Sequence, residues 1–441
     1  MWILYIVWEV CVVSEMQVEI NTKNEDKVFK TVLSDGLKVY ICPKKGFSKK
    51  IGMYGTHYGS IDTTFFDVVD GKKRTVPEGI AHFLEHKLFE QEDGNALDLF
   101  AQKGVSSNAY TSFDHTVYFF ETDSKFEECV KTLFDFITKP YFTDENVEKE
   151  KGIIEQEIKM YEDAPDAVVY YNVLKGMYNK YPLNIDIAGT VESVYSITKE
   201  HLYSCYNTFY NPANMFVIII GDVNIEETLV LIEKSHKSTN TRASVIPQRY
   251  YDAEEDKIAI KEINNNLDIY MPSVCIGYKM GKKNGKENIR NAVICEIIEK
   301  CCFGNLSEFY EELYNKGYIT TPMYLSYESG VDFSHNIISF NSLKYKECEE
   351  ILFEYINKLK QNGISKDIFD IVKNKIIGEI VFSSEELMHV SRDIIDSIIE
   401  NTDVFEKANM LDSITINDVN EYIKKNFNEE FMAISRVLPK N

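Results

Sequence analysis

The run KVFKTVLSDGLKVYICPK at residues 27–44 alternates apolar and polar side chains about Asp35-Gly36, which predicts two strands joined by a hairpin turn. A further strand is expected around Ile51 to Ile61, followed by a polar turn near Asp70 and Gly71. Pro77, whose fixed φ suits a first helical turn, is expected to open a helix running to about Glu90. Next come a short helix from Asn95 to Gln102, strands near Ser107–Thr111 and Thr116–Glu121, and helices from Phe126 to about Tyr178. MFVIIIGDV at residues 215–223 is almost wholly apolar, as a strand buried on both faces must be, and a helix to about His236 follows it.

Residues 237–254 are polar, turn-rich and aperiodic, which predicts an interdomain linker. Beyond it the same order returns: strands near Ile258–Ile263 and Ile269–Tyr278, helices from about Glu287 to Tyr314, and two strands between Met323 and Phe340. Helices from Tyr345 to about Asn401, a last helix and a strand near Phe431 complete the pattern. Two halves of like length and element order predict an α+β protein of two duplicated α/β-sandwich domains, residues 17–236 and 255–441, each a mostly antiparallel sheet with helices packed on it. Residues 1–16, MWILYIVWEVCVVSEM, lack a basic start and carry Glu9 inside an apolar run too short to span a bilayer. They are expected to be an extension ahead of the fold; the alternative is a short element packed on its body.

The 441 residues suit two domains of about 200 residues each. With 48 basic and 70 acidic residues, a formal charge of -22 opposes contact with a phosphate backbone, so nucleic acid is not an expected ligand, nor is a membrane. Nine cysteines without a CxxC pair suggest neither a disulfide framework nor a cysteine zinc site, and fit a reducing cytoplasm. Adjacent Cys301 and Cys302 are expected in the core.

The most informative residues are His82-Phe83-Leu84-Glu85-His86. At about 100° per residue, His82, Glu85 and His86 project within one arc of about 100°, while Phe83 and Leu84 point elsewhere. Two neutral imidazoles one turn apart suit a tetrahedral Zn²⁺ with an open position, and a carboxylate between them can take a proton from water. Two ordinary surface histidines would rarely carry an acid at that place.

A catalytic zinc needs a third protein ligand. The helix after Thr143, a plausible N-cap, carries an apolar stripe of Val147, Ile153, Ile154, Ile158, Met160 and Tyr161, with Glu150 and Glu157 in its midst and Glu155 off it. A carboxylate there is costly unless it is paired or bound to metal. Either Glu157 is a ligand and Glu150 accepts a hydrogen bond from a ligand imidazole, or both form buried ion pairs with Lys or Arg from the other half of the chain.

With HxxEH at 82–86 and Glu157 following His86 by 71 residues, the sequence resembles the insulinase or pitrilysin family of inverted-motif zinc metallopeptidases. YGSID at 58–62, GIAHFLEHKLFE at 79–90, SSNAYTSFDHTVYFF at 106–120, EKGIIEQEI at 150–158, IDIAGTVESV and YNPANMFVIIIGD also carry the resemblance, which runs from about residue 25 nearly to the end. It is closest to the half-length bacterial branch, similar to mitochondrial processing peptidase subunits. The resemblance implies one Zn²⁺ per chain held by His82, His86 and Glu157, with Glu85 as general base and Glu150 supporting a ligand. It further implies that Asn108 and Ala109 lie on an edge strand that pairs with extended peptide, although Asn108 is equally at home in a turn. His115 is expected in a solvated loop.

The family also has an Arg and a Tyr in the second half that contact the substrate carbonyl, in a glycine-rich segment and a Leu-Arg-x-Lys-Gly run. CCFGNLSEFYEELYNKGYITT departs from that pattern, with a single Gly304 and Tyr314 where Arg would stand. Tyr314, Lys316 and Tyr318 are substitutes for it, or else interface and core residues. The expected protein is therefore a zinc metalloendopeptidase subunit for unfolded peptides. Its expected partner is a related two-domain chain, in a heterodimer before a homodimer. The rivals are a non-catalytic assembly subunit, a small-molecule hydrolase and a dedicated maturation protease for one modified peptide.

Overall fold

The computed structural model describes residues 16–239, 244–283 and 285–440, so the expected N-terminal extension lies, apart from Met16, outside the described residues. The chain packs as two units. One contains the described residues up to Ile158 with Asp186–Tyr251 and Ser384–Ile399; the other contains Lys159–Ile185, Asp252–Ser383 and the stretch from Glu400 onward.

The sheet of the first unit is built from β1 (Gln17–Ile20), β2 (Lys27–Val32), β3 (Lys38–Pro43), β4 (Lys50–Thr56), β5 (Ser106–Thr111), β6 (Thr116–Thr122) and β7 (Met215–Gly221), in the order β1-β2-β3-β7-β4-β6-β5. The apolar run forms β7, buried at every position, parallel to β3 and antiparallel to β4. One core covers one face of this sheet, with Tyr54, Tyr118, Val217 and Ile219 packed among helices. At the far edge β5 pairs with β6 alone.

The second unit holds β8 (Glu262–Leu267), β9 (Ser273–Met280), β10 (Tyr324–Gly330), β11 (Phe333–Asn341) and β12 (Met432–Pro439), in the order β8-β12-β9-β11-β10. Its first pair, β8 with β12, is parallel and the rest are antiparallel. That is the order and sense of β3-β7-β4-β6-β5, so the duplication expected from element order is present in the pairing itself. β8 and β9 begin four residues later than the apolar pattern suggests, because partner strands rather than the first apolar residue set where a ladder starts.

The helix with the HxxEH motif, α1 (Ile80–Phe89), starts three residues beyond Pro77. Its N-cap is Gly79, left-handed at φ 82°. The segment 186–190 crosses so close that a Cβ on Gly79 would lie 2.2 Å from the Ala188 carbonyl oxygen; reciprocally, one on Gly189 would lie 2.6 Å from that of Glu78. Ser193 Oγ donates to the same Glu78 oxygen at 2.9 Å. α1 runs beside β5 and the Lys199–Phe209 helix.

The second site-bearing helix, α2 (Asp144–Glu162), is capped as expected: Asn146 N–H donates to Thr143 Oγ1 at 3.1 Å, and Thr143 N–H to Asn146 Oδ1 at 2.9 Å. Its buried stripe is narrower than predicted. Val147, Glu150, Ile154 and Ile158 are buried, whereas Ile153, Met160 and Tyr161 are 49%, 60% and 41% exposed. α3 (Pro165–Met177) lies on β9 and β12 in the second unit, with Pro165 in its first turn.

Eight cysteines are described, all free and buried, and burial pushes the Cys301 and Cys302 thiols up. Among the described residues no helix is long and apolar enough to cross a membrane.

Gly79→Ala combines a left-handed backbone with a clash against backbone, and is expected to cost about 2 kcal/mol or more. Gly71→Ala, at φ 69° but with nothing within 4 Å, should cost only about 1 kcal/mol. Denaturant melts of the two variants check the difference.

Candidate metal centre

The spacing of α1 brings His82, Glu85 and His86 to one side of that helix, and α2 supplies Glu150 and Glu157. Glu157 Oε1 lies 3.6 Å from His82 Nε2, and its Oε2 lies 3.6 Å from His86 Nε2. One donor atom from each of the three residues falls within 4.8 Å of the others, and this is the cluster with metal-ligand geometry among the described residues. Ligands about 2.0–2.2 Å from a tetrahedral centre stand roughly 3.3–3.6 Å apart; the two 3.6 Å separations, each to a different oxygen of Glu157, lie at the upper end of that spacing, and the cluster is compatible with a metal ion.

The electrostatics differ between the two imidazoles. Burial, reinforced by the neighbouring His86, depresses His82 to about 3, which leaves a neutral imidazole with a lone pair. His86 is also desolvated, but the Glu150 hydrogen bond and the charges of Glu85, Glu150 and Glu157 outweigh burial and raise it. His86 Nδ1–H donates to Glu150 Oε1 at 3.0 Å, which turns the lone pair of Nε2 toward the cluster. His82 has no such acceptor. Its Nδ1 is buried without a hydrogen-bond partner among the described residues, so packing on α1 holds that ring.

Glu150 is 8% exposed. Its Oε1 accepts a hydrogen bond from His86 Nδ1–H, and its Oε2 lies 3.6 Å from Lys87 Nζ, a lysine of the same unit rather than one from the other half. Burial raises the Glu150 carboxyl, but His86 and then Lys87 bring it below the usual range. Glu157, 24% exposed, sits at the margin of the stripe. Glu155 accepts from Tyr195 Oη at 2.6 Å, away from the cluster.

Glu85 is 7% exposed, and burial raises its carboxyl above the ordinary value. Thr111, the last residue of β5, donates Oγ1 to Glu85 Oε2 at 2.6 Å and so fixes the carboxylate beside the ligands. Thr111 and Lys87 both escaped the sequence analysis. A lysine on the apolar line Phe83-Leu84-Lys87-Leu88 was a signal for the second; nothing local marked the first.

Asn108 and Ala109 lie on edge strand β5, Asn108 exposed and in strand rather than turn conformation. His115 is apart from the cluster, its Nδ1 2.7 Å from Asp114 Oδ1. In the second unit Tyr314 is 55% exposed, Lys316 donates to Glu312 at 2.5 Å and Tyr318 packs against the core.

Comparison with known proteins bears on these features. The profile described as "Insulinase (Peptidase family M16)" matches residues 74–191, and that described as "Peptidase M16 inactive domain" matches residues 196–376. The zinc protease YmfH of Bacillus subtilis (strain 168) is 35% identical over 422 residues, which cover 95% of this chain and 98% of that one. A mitochondrial-processing peptidase subunit beta of Arabidopsis thaliana is 29% identical over 161 residues, 35% of this chain and 30% of its own. Among solved structures, an M16-like peptidase from Alicyclobacillus acidocaldarius superposes with a TM-score of 0.90 at 32% identity, covering 94% of this chain and 99% of that one. A likeness of that extent in both sequence and fold places this chain in the insulinase family, peptidase family M16, as a member of its half-length branch.

Proposed function

We propose that the chain is a zinc-dependent endopeptidase subunit that cuts unfolded peptides. The observation that carries this reading is the convergence of His82, His86 and Glu157 into one ligand set, with the buried Glu85 hydrogen-bonded beside it. The relatives named zinc proteases support the metal. A zinc ion in that set supplies a Lewis acid that polarises a peptide carbonyl and eases deprotonation of water. Glu85 accepts the proton of the attacking water and returns it to the leaving amine. Thr111 holds Glu85 in place. Ala109 on edge strand β5, whose N–H is held by the Asn108 side chain at 2.9 Å, offers its backbone to an extended substrate once Asn108 releases it, a mode indifferent to the substrate's side chains.

The partner is a related two-domain chain, a reading supported by the similarity to a processing peptidase subunit and by an exposed Tyr314 in place of a carbonyl-contacting Arg. Free buried cysteines fit a cytoplasmic setting. The inactive-domain match to residues 196–376 favours a second reading, a non-catalytic assembly subunit, which the same experiments separate.

Purified chain should hold about one zinc by metal analysis. Glu157→Gln should lose it and Glu155→Gln retain it; equal zinc in both variants would remove Glu157 from the ligand set. Glu85→Gln should keep zinc and fold but lose peptide-digest activity about 100-fold or more, because an amide cannot accept the proton. A wild-type chain with zinc but no activity in any assembly would favour the non-catalytic reading. Sedimentation should show a monomer or weak dimer of low activity that gains activity on mixing with a related chain. A tight, fully active homodimer would refute the heterodimer.

A further inference from the structure

Lys87 is buried completely, at 0% exposure, on the apolar line of α1 one residue beyond His86. An ammonium group in such a place is costly unless carboxylates meet it. Two do. Nζ contacts the Glu90 carboxylate and lies 3.6 Å from Glu150 Oε2. Glu90 is 32% exposed and water can serve it, whereas Glu150 is buried and its other oxygen carries the His86 Nδ1–H bond.

We propose that Lys87 is a positioning residue for the metal centre, clamping Glu150 Oε2 so that Oε1 faces His86 and His86 Nε2 faces the ligand cluster. This deepens the zinc peptidase reading and rests on it. The terminal torsion of a glutamate is soft, and one hydrogen bond leaves its carboxylate plane free to swing. An ammonium group 3.6 Å from the second oxygen narrows that freedom by charge attraction. Lys87 touches neither substrate nor ligand set; its effect passes through Glu150, and that dependence is what distinguishes it from a residue that only fills the core.

The test is Zn²⁺ affinity by chelator competition, with Co²⁺ absorption as a report on ligand geometry, for wild type, Lys87→Met, Glu150→Gln and the double variant. Lys87→Met should bind zinc about 10-fold more weakly and alter the cobalt bands, within the roughly 10- to 100-fold range for groups that orient a ligand. Glu150→Gln should do likewise, and the double variant should bind no more weakly than Glu150→Gln, since the lysine then has nothing to orient. Unchanged or tighter binding by Lys87→Met overturns the proposal. So does a further loss of threefold or more from Glu150→Gln to the double variant. That second comparison stands even if Lys87→Met alone does not fold, because the double variant leaves no unpaired Glu150 charge. A wild-type chain that binds no zinc overturns both the metal reading and this one. Tight wild-type binding with no effect of Lys87→Met sinks this one alone.

Discussion

Charge withdrawn from water is the constraint on which the first unit depends. Glu85, Lys87 and Glu150 are each less than 10% exposed, and all three lie where α1 and α2 carry the site. In a low-dielectric setting none of them is tolerable alone. Each is therefore met: Glu85 by Thr111, Glu150 by His86 and Lys87, and Lys87 by Glu90 and Glu150. The pairings tie two helices to one another and to the last residue of an edge strand, so the same contacts that make burial bearable also set the geometry of the candidate ligands.

Backbone features hold the frame to which those side chains are attached. Left-handed Gly79 lets the segment at 186–190 cross within van der Waals range of the start of α1, and Gly189 answers it from the other side. The Thr143–Asn146 cap sets the start of α2. The site is thus built on helices with fixed origins and lies beside a strand whose outer edge pairs with no other strand of the sheet. A ligand cluster of this kind needs placement to a fraction of an ångström, which rigid elements provide better than loops.

The two sheets show how a duplicated fold can differ in chemistry. Five strands of each share order and direction, yet the ligand cluster is found in the first unit. The chain also exchanges segments: residues 159–185 pack with the second unit and residues 384–399 with the first. The strands and the long apolar one among them were readable from periodicity, because alternation and its absence report burial directly; which strands pair was not. The exchange was not readable, since α3 is apolar on most sides and its composition does not say which sheet it packs on.

For the candidate site, helical spacing and the apolar stripe pointed to its members. The 3.6-residue turn places His82, Glu85 and His86 on one face whatever surrounds the helix, and acids in an apolar stripe announce a buried carboxylate. Tertiary structure decided the rest. It showed that Ile153, Met160 and Tyr161 are outside the stripe and that α1 begins at Ile80 rather than Pro77. It also supplied Thr111 and the partners of Lys87. The physical reason is one of range: helical periodicity acts over a few residues, whereas the groups that neutralise a buried charge come from elsewhere in the chain, and only packing selects which of them arrive.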